Sequence, residues 1–284
     1  MIVQTGLAMA VQILKQAKVE DPVRDARVLM AACLDIPVGR LTLHTHDEFE
    51  DAAEAVFFAD IGQRATRTPV SHLLGYRDFY GRRFQVTPDV LDPRGDTETL
   101  IAAALAVPFK DVLDLGTGSG CILITLLVER GLARGDLTGL ARGIGVDVSQ
   151  PAVAVAEQNA MTLGVEDRCA FEVSDWFEAV SGPFDLIVSN PPYIGLDEMA
   201  GLAPELAYEP RLALTDEGDG LAAYREITSG VAGHLRQGGW LMVEIGATQG
   251  GAVIALFEAA GLEQVEIRVD LDGRDRVVVG KKPQ

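Results

Sequence analysis

Apolar residues recur every three or four positions through much of residues 1–74, and this spacing predicts amphipathic helices. Asp21 followed by Pro22 predicts a helix start, because an aspartate side chain caps free backbone N–H groups and proline suits the first turn. Another helix is predicted to begin near Asp47, with a capping box completed by Glu50. We interpret residues 1–74 as a small helical bundle. Its predicted buried positions are Leu7, Ala10, Val11, Leu14, Ala26, Leu29, Met30, Cys33, Phe49, Ala53, Val56, Phe57 and Ile61.

Residues 75–93 carry a different pattern. Aromatic and β-branched residues stand on both sides of Gly81, as in two short strands joined by a tight turn. Pro88 and Pro93 interrupt the chain directly afterwards. We therefore predict a β-hairpin that links the helical bundle to the rest of the chain. The residues that favour the two strands are Tyr76, Phe79, Tyr80, Phe84 and Val86.

Residues 94–284 alternate short apolar runs with helical patterns. This alternation is typical of an α/β protein whose sheet is mostly parallel and covered by helices on both faces. The predicted parallel strands are 112–115, 144–147, 171–173, 184–189 and 240–245, and the predicted antiparallel pair is 265–269 with 276–279. The predicted fold class is therefore α/β, with the helical bundle and the hairpin before a seven-stranded sheet.

The charge of the chain narrows the choice of partners. The 284 residues include 42 acidic and 24 basic side chains, which give a formal net charge of −18. Affinity for nucleic acid depends largely on Lys and Arg, so we expect no stable nucleic-acid binding. An acidic surface would suit a basic protein partner.

Three further absences in the sequence shape the expected setting. No segment has the features of a signal peptide or the ~18 consecutive apolar residues that span a bilayer. We therefore expect a cytoplasmic protein with no membrane partner. The three cysteines and four histidines show no metal-ligand spacing, so no metal site is expected.

A glycine-rich segment, Asp114–Gly120, follows the first predicted strand of the sheet. Its glycines, Gly116, Gly118 and Gly120, let the backbone turn tightly and approach a ligand closely. Asp147 ends the next strand, where a carboxylate can accept hydrogen bonds from both hydroxyls of a ribose. The G-x-G-x-G spacing and the acidic residue that opens the loop are typical of class I methyltransferases. A nicotinamide-dependent oxidoreductase would favour G-x-G-x-x-G instead.

Asp175 and Trp176 follow the third predicted strand. A carboxylate beside an aromatic ring suits an adenine, although Asp175 alone could also be a helix cap. Acidic residues at three consecutive strand ends favour the cofactor interpretation, and the predicted cofactor is S-adenosylmethionine. The residues predicted to bind it are Asp114, Gly116, Thr117, Gly118, Gly120, Asp147, Asp175, Trp176 and Asn190.

The fourth predicted strand ends at Asn190-Pro191-Pro192-Tyr193. Methylation of a planar nitrogen requires its lone pair to leave the π-system, so a site needs acceptors for the N–H groups and a flat surface. The Asn190 side-chain oxygen and the Pro191 carbonyl are the predicted acceptors, and Tyr193 is predicted to stack against the planar group. The predicted catalytic residues are Asn190, Pro191 and Tyr193. The predicted substrate-binding residues are Asn190, Pro191, Pro192 and Tyr193.

Over nearly its whole length the chain resembles the HemK/PrmC family of protein-glutamine methyltransferases. The resemblance rests on Asp114–Gly120, Asn190–Tyr193, Asp25–Leu29, Pro69–Gly75, Phe79–Gly81, Pro93–Glu98, Glu209–Leu214, Asp219–Leu221, Glu244–Gly246 and Gln249. The chain departs from the family pattern at Asp92 and Gly95, outside the cofactor and catalytic motifs. The resemblance implies a helical substrate-docking domain over 1–74, a hairpin linker over 75–93, and a Rossmann-like class I methyltransferase domain over 94–284.

The same resemblance implies an activity. Members of this family transfer a methyl group from S-adenosylmethionine to the glutamine of the Gly-Gly-Gln motif in class 1 peptide chain release factors, which tunes translation termination. The resemblance gives no chemical role to Glu98 or Gln249. We expect a monomer whose partners are class 1 peptide chain release factors.

Other functions stay open at this point. The Asn-Pro-Pro-Tyr loop also serves adenine methylation in DNA, where the base is flipped out of the duplex, although the acidity of the chain disfavours it. Glutamine methylation of a ribosomal protein by a sister branch of the family has the same motifs. A catalytically inactive binding protein is disfavoured by the intact Asn190 and glycine loop.

Overall fold

The computed structural model of the chain describes residues 1–134 and 141–284. These residues form two compact units. The first unit consists of Met1–Tyr76 together with Ala203–Tyr208, and the second consists of Arg77–Leu202 and Glu209–Gln284. Within the described ranges, no helix is long and apolar enough to cross a membrane.

The first unit is a helical bundle. Its helices are α1 (Val3–Gln16), α2 (Pro22–Cys33), α3 (Asp51–Ala65) and α4 (Val70–Leu74), with 3₁₀ helices at Val38–His44 and Pro204–Tyr208. Asp21 caps α2 as predicted, since its side chain accepts a hydrogen bond from the backbone N–H of Arg24 at 3.1 Å. The predicted positions found in the shared core include Ala10, Leu14, Ala26, Leu29, Met30, Phe49, Phe57 and Ile61.

The start of α3 was predicted wrongly. The helix begins at Asp51, and the predicted capping box does not form because the Glu50 side chain makes no capping bond. Glu48 forms an antiparallel bridge with Ile2 instead, and this extended pairing excludes a helical conformation at that point. Val56, which the periodicity placed in the core, is 56% exposed. The cause is a β-type contact with the distant first residues of the chain.

An ion-pair network holds Ala203–Tyr208 within the first unit. Arg64 is 6% exposed and donates hydrogen bonds to Asp25 at 2.7 Å and to Glu205 at 2.9 Å. Arg67 also donates to Glu205, at 3.1 Å. A buried guanidinium needs such partners, because an unpaired charge inside a protein is strongly destabilising. Glu205 therefore ties a late segment of the chain to an early helix.

The second unit is a seven-stranded sheet with the strand order β5-β4-β3-β6-β7-β9-β8, and a separate hairpin precedes it in the chain. The hairpin strands are β1 (Tyr76–Phe79) and β2 (Arg82–Gln85). The sheet strands are β3 (Asp111–Leu115), β4 (Arg142–Asp147), β5 (Cys169–Val173), β6 (Phe184–Ser189), β7 (Leu235–Glu244), β8 (Glu263–Val269) and β9 (Asp275–Lys281). The helices are α5 (Glu98–Leu105), α6 (Cys121–Arg134), α7 (Gln150–Leu163), α8 (Ala222–His234) and α9 (Gly250–Ala259).

Strand directions confirm the predicted fold class. β5, β4, β3, β6 and β7 pair in parallel, and β9 runs antiparallel to both β7 and β8. Helices α5, α6 and α7 pack on one face of the sheet, and α8 and α9 pack on the other. In β3, Val112 belongs to the first apolar layer, whereas Leu113 and Leu115 belong to the second, because successive side chains of a strand point to opposite faces.

The topology also sets the position of a binding site. β3 pairs with β4 on one side and with β6 on the other. From β3 the chain therefore continues first towards one edge of the sheet, through β4 and β5, and then towards the other edge, through β6 and β7. Open α/β sheets bind their ligands in the crevice beyond the carboxyl ends of the strands at such a point. The loops after β3, β4, β5 and β6 all begin at this edge.

A glycine in β4 allows α6 to approach the sheet closely, and this yields the first prediction. A Cβ at Gly143 would lie 2.5 Å from Leu123 Cδ1 and 2.7 Å from the Val112 carbonyl oxygen. Gly143→Ala should therefore lower the free energy of unfolding by about 1–3 kcal/mol, the cost of overpacking a core. Urea unfolding of the full chain measures this change.

The matched control is Gly233→Ala in α8, where an added Cβ meets nothing within 4 Å. This variant should be neutral or more stable by up to ~1 kcal/mol, because alanine loses less backbone entropy in a helix. Equal stability of both variants and the wild type would contradict the close approach of α6 to β4.

Candidate active site

A cavity of ≈ 370 Å³ lies in the second unit at the carboxyl edge of the parallel strands. Its volume falls within the roughly 300–1,000 Å³ of small-molecule sites. The loops after β3, β4, β5 and β6 contribute to its wall, together with residues 89–97 and 210–213. The predicted site residues that line it are Gly116, Thr117, Gly118, Asp147, Asp175, Trp176, Asn190 and Pro192.

The glycine loop after β3 presents open backbone to the cavity. Gly116 and Gly118 have φ values of +67° and +54°, and a Cβ at either position would meet no protein atom within 4 Å. Gly120 differs, since its Cβ would lie 2.9 Å from Ile124 Cδ1 and 3.1 Å from Ala156 Cβ. It does not line the cavity. Gly120 thus permits close packing of α6 and α7, whereas the first two glycines leave room for a ligand.

Asp114 is fully buried beneath this loop and does not line the cavity. Thr117 Oγ1 donates to Asp114 Oδ2 at 2.7 Å, while Oδ1 has no hydrogen-bond partner among residues 1–134 and 141–284. Burial raises the pKa of Asp114 to about 7, against an opposing effect of the Thr117 hydrogen bond. A buried carboxylate oxygen with no partner is costly, and it marks a position where a donor or a cation would be favourable.

Asp147, at the end of β4, is held by backbone groups. Its Oδ2 accepts from the Gly118 N–H and its Oδ1 from the Ser149 N–H, each at 2.9 Å. Burial raises the pKa of Asp147, and these backbone bonds oppose the shift. Each carboxylate oxygen has more than one acceptor site, so the side chain can still accept hydrogen bonds from the cavity that it lines.

Asp175 and Trp176 follow β5 and line the opposite end of this group of loops. Trp176 adopts a φ of +46°, a left-handed conformation that is unfavourable for a bulky residue. Ser174 stabilises it, since its hydroxyl donates to the Trp176 carbonyl oxygen at 3.0 Å and accepts from the Ala179 N–H at 3.0 Å. Local strain that the structure holds in this way is common at functional sites.

Some residues of the segment after β6 line the cavity, and others are buried in the core. Asn190 and Pro192 line the cavity, whereas Pro191 is buried. Tyr193 does not line it, and its half-buried ring packs against the apolar layer of α8 and α9. Burial raises the pKa of the Tyr193 phenol to about 12. The stacking role assigned to Tyr193 stays a prediction.

Gln249, for which the sequence predicts no chemical role, anchors this segment. Its Nε2 donates to the Tyr193 carbonyl oxygen at 2.8 Å and to the Gly220 carbonyl oxygen at 3.1 Å. Its Oε1 accepts from the Gly246 N–H at 3.0 Å and from the Tyr224 hydroxyl at 3.4 Å. One side chain therefore joins the end of the Asn-Pro-Pro-Tyr segment to two other loops. Its membership in a family motif was the only signal for it in the sequence.

Two further motif residues meet at the cavity wall. Arg94, which lines the cavity, donates through one terminal nitrogen to both carboxylate oxygens of Glu209, at 2.7 and 2.9 Å. Glu209 is 8% exposed, and the following residue, Pro210, also lines the cavity. The ion pair thus joins two separate segments of the chain that both contribute to the cavity wall. Among the residues of the described ranges, no group of three or more His, Cys, Asp or Glu could hold a metal ion.

Two family models cover most of the chain. The PrmC N-terminal domain matches residues 6–75, and the Methyltransferase small domain matches residues 94–222. The sheet order and the cavity at its carboxyl edge likewise define a class I methyltransferase fold. A crystal structure of a methyltransferase from Pyrococcus furiosus has this fold too, with a TM-score of 0.53, 14% identity, and coverage of 72% of this chain and 91% of that chain.

Sequence relatives identify the particular family. A release factor glutamine methyltransferase from Cereibacter sphaeroides is 53% identical over 279 residues, which are 98% of this chain and 98% of the relative. Another from Rhodospirillum rubrum is 44% identical over 273 residues, which are 95% of this chain and 82% of the relative. The chain belongs to the release factor glutamine methyltransferase family.

The contacts of Gln249 yield a prediction on stability. Gln249→Met keeps the length of the side chain but leaves the carbonyl oxygens of Tyr193 and Gly220 without their donor. The free energy of unfolding should fall by about 2–3 kcal/mol, because unpaired buried polar groups keep their desolvation cost. Urea unfolding measures the change.

The control for this prediction is Gln158→Met, at an exposed position of α7 where, within the described ranges, the side chain donates to Thr162 alone, at 3.4 Å. Its stability should stay within ~0.5 kcal/mol of the wild type, as for most surface substitutions. A loss of the same size in both variants would contradict the anchoring role of Gln249.

Proposed function

We propose that this methyltransferase transfers a methyl group from S-adenosylmethionine to the side-chain amide nitrogen of the glutamine in the Gly-Gly-Gln motif of class 1 peptide chain release factors. The observation that carries the proposal is 53% identity across 98% of a protein named release factor glutamine methyltransferase. The reaction would tune translation termination. It would place the enzyme in the cytoplasm, as a monomer that forms no stable complex with nucleic acid, and its net charge of −18 would suit a basic protein partner.

The residues of the cavity fit S-adenosylmethionine. Gly116, Thr117 and Gly118 would hold it through open backbone, and Asp147 would accept from its ribose hydroxyls. Asp175 and Trp176 would enclose the adenine. The unpaired Oδ1 of Asp114 supports a cationic group nearby, as at the methionine end of this cofactor. When bound, the cofactor supplies an electrophilic methyl group on a sulfonium.

The chain's own residues would then act on the substrate amide. The Asn190 side-chain oxygen and the Pro191 carbonyl oxygen would accept hydrogen bonds from the two N–H groups of the glutamine amide. Positive charge develops on this nitrogen as it takes up the methyl group, and fixed acceptors stabilise that charge electrostatically. Pro191 and Pro192 restrict the backbone that directs these acceptors. The surplus proton leaves to water afterwards, and the products are methylglutamine and S-adenosylhomocysteine, since the sulfonium loses its bond to the methyl group.

Peptide mass spectrometry of a class 1 release factor, after incubation with this protein and S-adenosylmethionine, tests the proposal. We expect one added methyl group on the glutamine of Gly-Gly-Gln.

Asn190→Ala should lower turnover on the order of 10²–10³-fold, by analogy with the removal of one preorganised polar group. Its cofactor affinity, measured by calorimetric titration, should change little. Asp147→Ala should instead weaken cofactor affinity first.

Two controls make the result specific. A release factor with alanine in place of the Gly-Gly-Gln glutamine should gain no methyl group. Ribosomal proteins and a DNA duplex are incubated in parallel, since both are alternative substrates for the same loop. Methyl transfer to one of these, with none to the release factor, would replace the proposed substrate.

The raised pKa of Asp114 predicts proton release on cofactor binding. With a pKa of about 7, the carboxyl is mostly protonated at pH 6.5 in the free protein. A nearby cation favours the ionised form, so binding should release roughly 0.7 proton at pH 6.5. The release should vanish above about pH 8, where the free carboxyl is already ionised.

Calorimetric titrations at pH 6.5 in phosphate and in an amine buffer measure this release as a difference in apparent enthalpy. Asp114→Asn keeps the shape of the side chain and its bond from Thr117, and the buffer dependence should disappear in this variant. Identical enthalpies in both buffers for the wild type would show that Asp114 does not respond to the cofactor.

A further inference from the structure

The side-chain amide of Asn190 has one protein contact that the proposed chemistry does not use. Its Nδ2 donates to Thr97 Oγ1 at 3.3 Å. Within residues 1–134 and 141–284, Thr97 is the only hydrogen-bond partner of this amide. The Asn190 oxygen thus remains available on the residue that lines the cavity.

Thr97 in turn contacts a buried carboxyl. Its hydroxyl interacts with the carboxyl of Glu244, the last residue of β7. Thr97 is 2% exposed and Glu244 is 1% exposed, and Thr97 also lines the cavity. Burial raises the pKa of Glu244 to about 7, and the interaction with Thr97 opposes this shift. The residues Asn190, Thr97 and Glu244 come from three separate sequence motifs and form one chain of polar contacts.

While Glu244 is ionised, that is, above its pKa of about 7, the chemistry of these groups fixes the direction of the contacts. A hydroxyl has a single hydrogen to donate, and an ionised carboxylate can only accept. When Thr97 donates to Glu244, its oxygen can only accept from Asn190. It must then face the NH₂ end of the amide and not the oxygen end. A carboxamide is nearly symmetric in shape, so without such a partner its two ends could exchange places by a half turn.

We propose that Thr97 and Glu244 are positioning residues that fix the orientation of the Asn190 amide, with its oxygen directed away from Thr97 to serve as acceptor. This inference rests on the proposed function for the role of that oxygen. The two residues act through Asn190, and the proposal gives neither a contact with the substrate amide, although Thr97 also lines the cavity. Glu244 lowers the stability of the fold, because its buried Oε2 has no hydrogen-bond partner in the described part of the chain.

Thr97 can be changed without loss of a helix cap. It precedes α5, but its side chain makes no capping hydrogen bond. Thr97→Val keeps the branched shape and removes only the hydroxyl, whereas Thr97→Ser keeps the hydroxyl. We expect Thr97→Val to lower kcat about tenfold, a typical effect for one orienting hydrogen bond. KM for the release factor and cofactor affinity should stay within about twofold, and Thr97→Ser should keep at least roughly a third of the wild-type kcat.

A second measurement needs neither substrate nor cofactor. The chain contains only two asparagines, Asn159 and Asn190, so selective ¹⁵N-asparagine labelling gives two side-chain amide pairs in an NMR spectrum. Asn159 is an internal reference, because its Nδ2 donates to the carbonyl oxygens of Gln85 and Ser119 at 3.0 and 2.9 Å. Thr97→Val should shift the Asn190 pair and speed its hydrogen exchange, and the Asn159 pair should stay in place.

Glu244→Gln tests the far end of the chain of contacts with Thr97 intact. A glutamine can donate as well as accept, so it no longer dictates the direction of the Thr97 hydroxyl, and the Asn190 pair should shift here as well. Unchanged Asn190 signals in both variants would overturn the inference. Equal kcat in Thr97→Val and the wild type would overturn it too.

The two proposals fail separately. If the wild type transfers no methyl group to a release factor, the proposed function fails, and the orientation of Asn190 is still decided by the NMR spectra. A second outcome requires an active wild type. If Thr97→Val and Thr97→Ser then lower kcat to the same level, the shape of the side chain explains the loss and the hydroxyl does not. In that case the inference is wrong.

Discussion

The site depends on one geometric constraint, the common direction of β5, β4, β3, β6 and β7. Parallel strands place their carboxyl ends at the same edge of the sheet, so the loops that follow them lie close together at that edge. Asp147, Asp175 and Asn190 are far apart in the chain, yet each stands directly at or after one of these ends. Apolar layers cover both faces of the sheet and bury these strands.

That edge holds polar groups which the fold alone does not need. Asp114 and Glu244 are both almost fully buried, each interacts with a threonine hydroxyl, and each keeps one oxygen with no hydrogen-bond partner in the described residues. Burial raises the pKa of both carboxyls to about 7. Such groups lower stability, and buried carboxyls with raised pKa values are frequent at functional sites.

Local sequence patterns predicted what local forces determine. The bounds of β6, the cap of α2 by Asp21 and the alternation of strands and helices all follow from neighbouring residues, and they are confirmed. The start of α3 was wrong because a bridge between Glu48 and Ile2 is invisible to helical periodicity. Gln249 and Thr97 received no role for a related reason.

Those two residues act through partners that are distant in the chain. Gln249 donates to the carbonyl oxygens of Tyr193 and Gly220, and Thr97 contacts Asn190 and Glu244. The conformation of a glycine loop or of a double proline can be predicted from its own residues. A hydrogen bond to a residue many positions away does not, so the second group of contacts could come only from the structure.

A comparison of three carboxamides separates structural from functional amides in the second unit. Asn159 donates to two carbonyl oxygens, and its Oδ1 accepts from the Gln85 N–H at 2.7 Å. Gln249 likewise uses both ends of its amide on the protein. Both amides therefore have hydrogen-bond partners at their nitrogen and at their oxygen, and both stabilise the fold. Among the residues that the structure describes, the Asn190 side chain is engaged only through its nitrogen, by Thr97. A side chain fixed at one end and open at the other is what an acceptor for a substrate N–H requires, since orientation is settled before the substrate arrives.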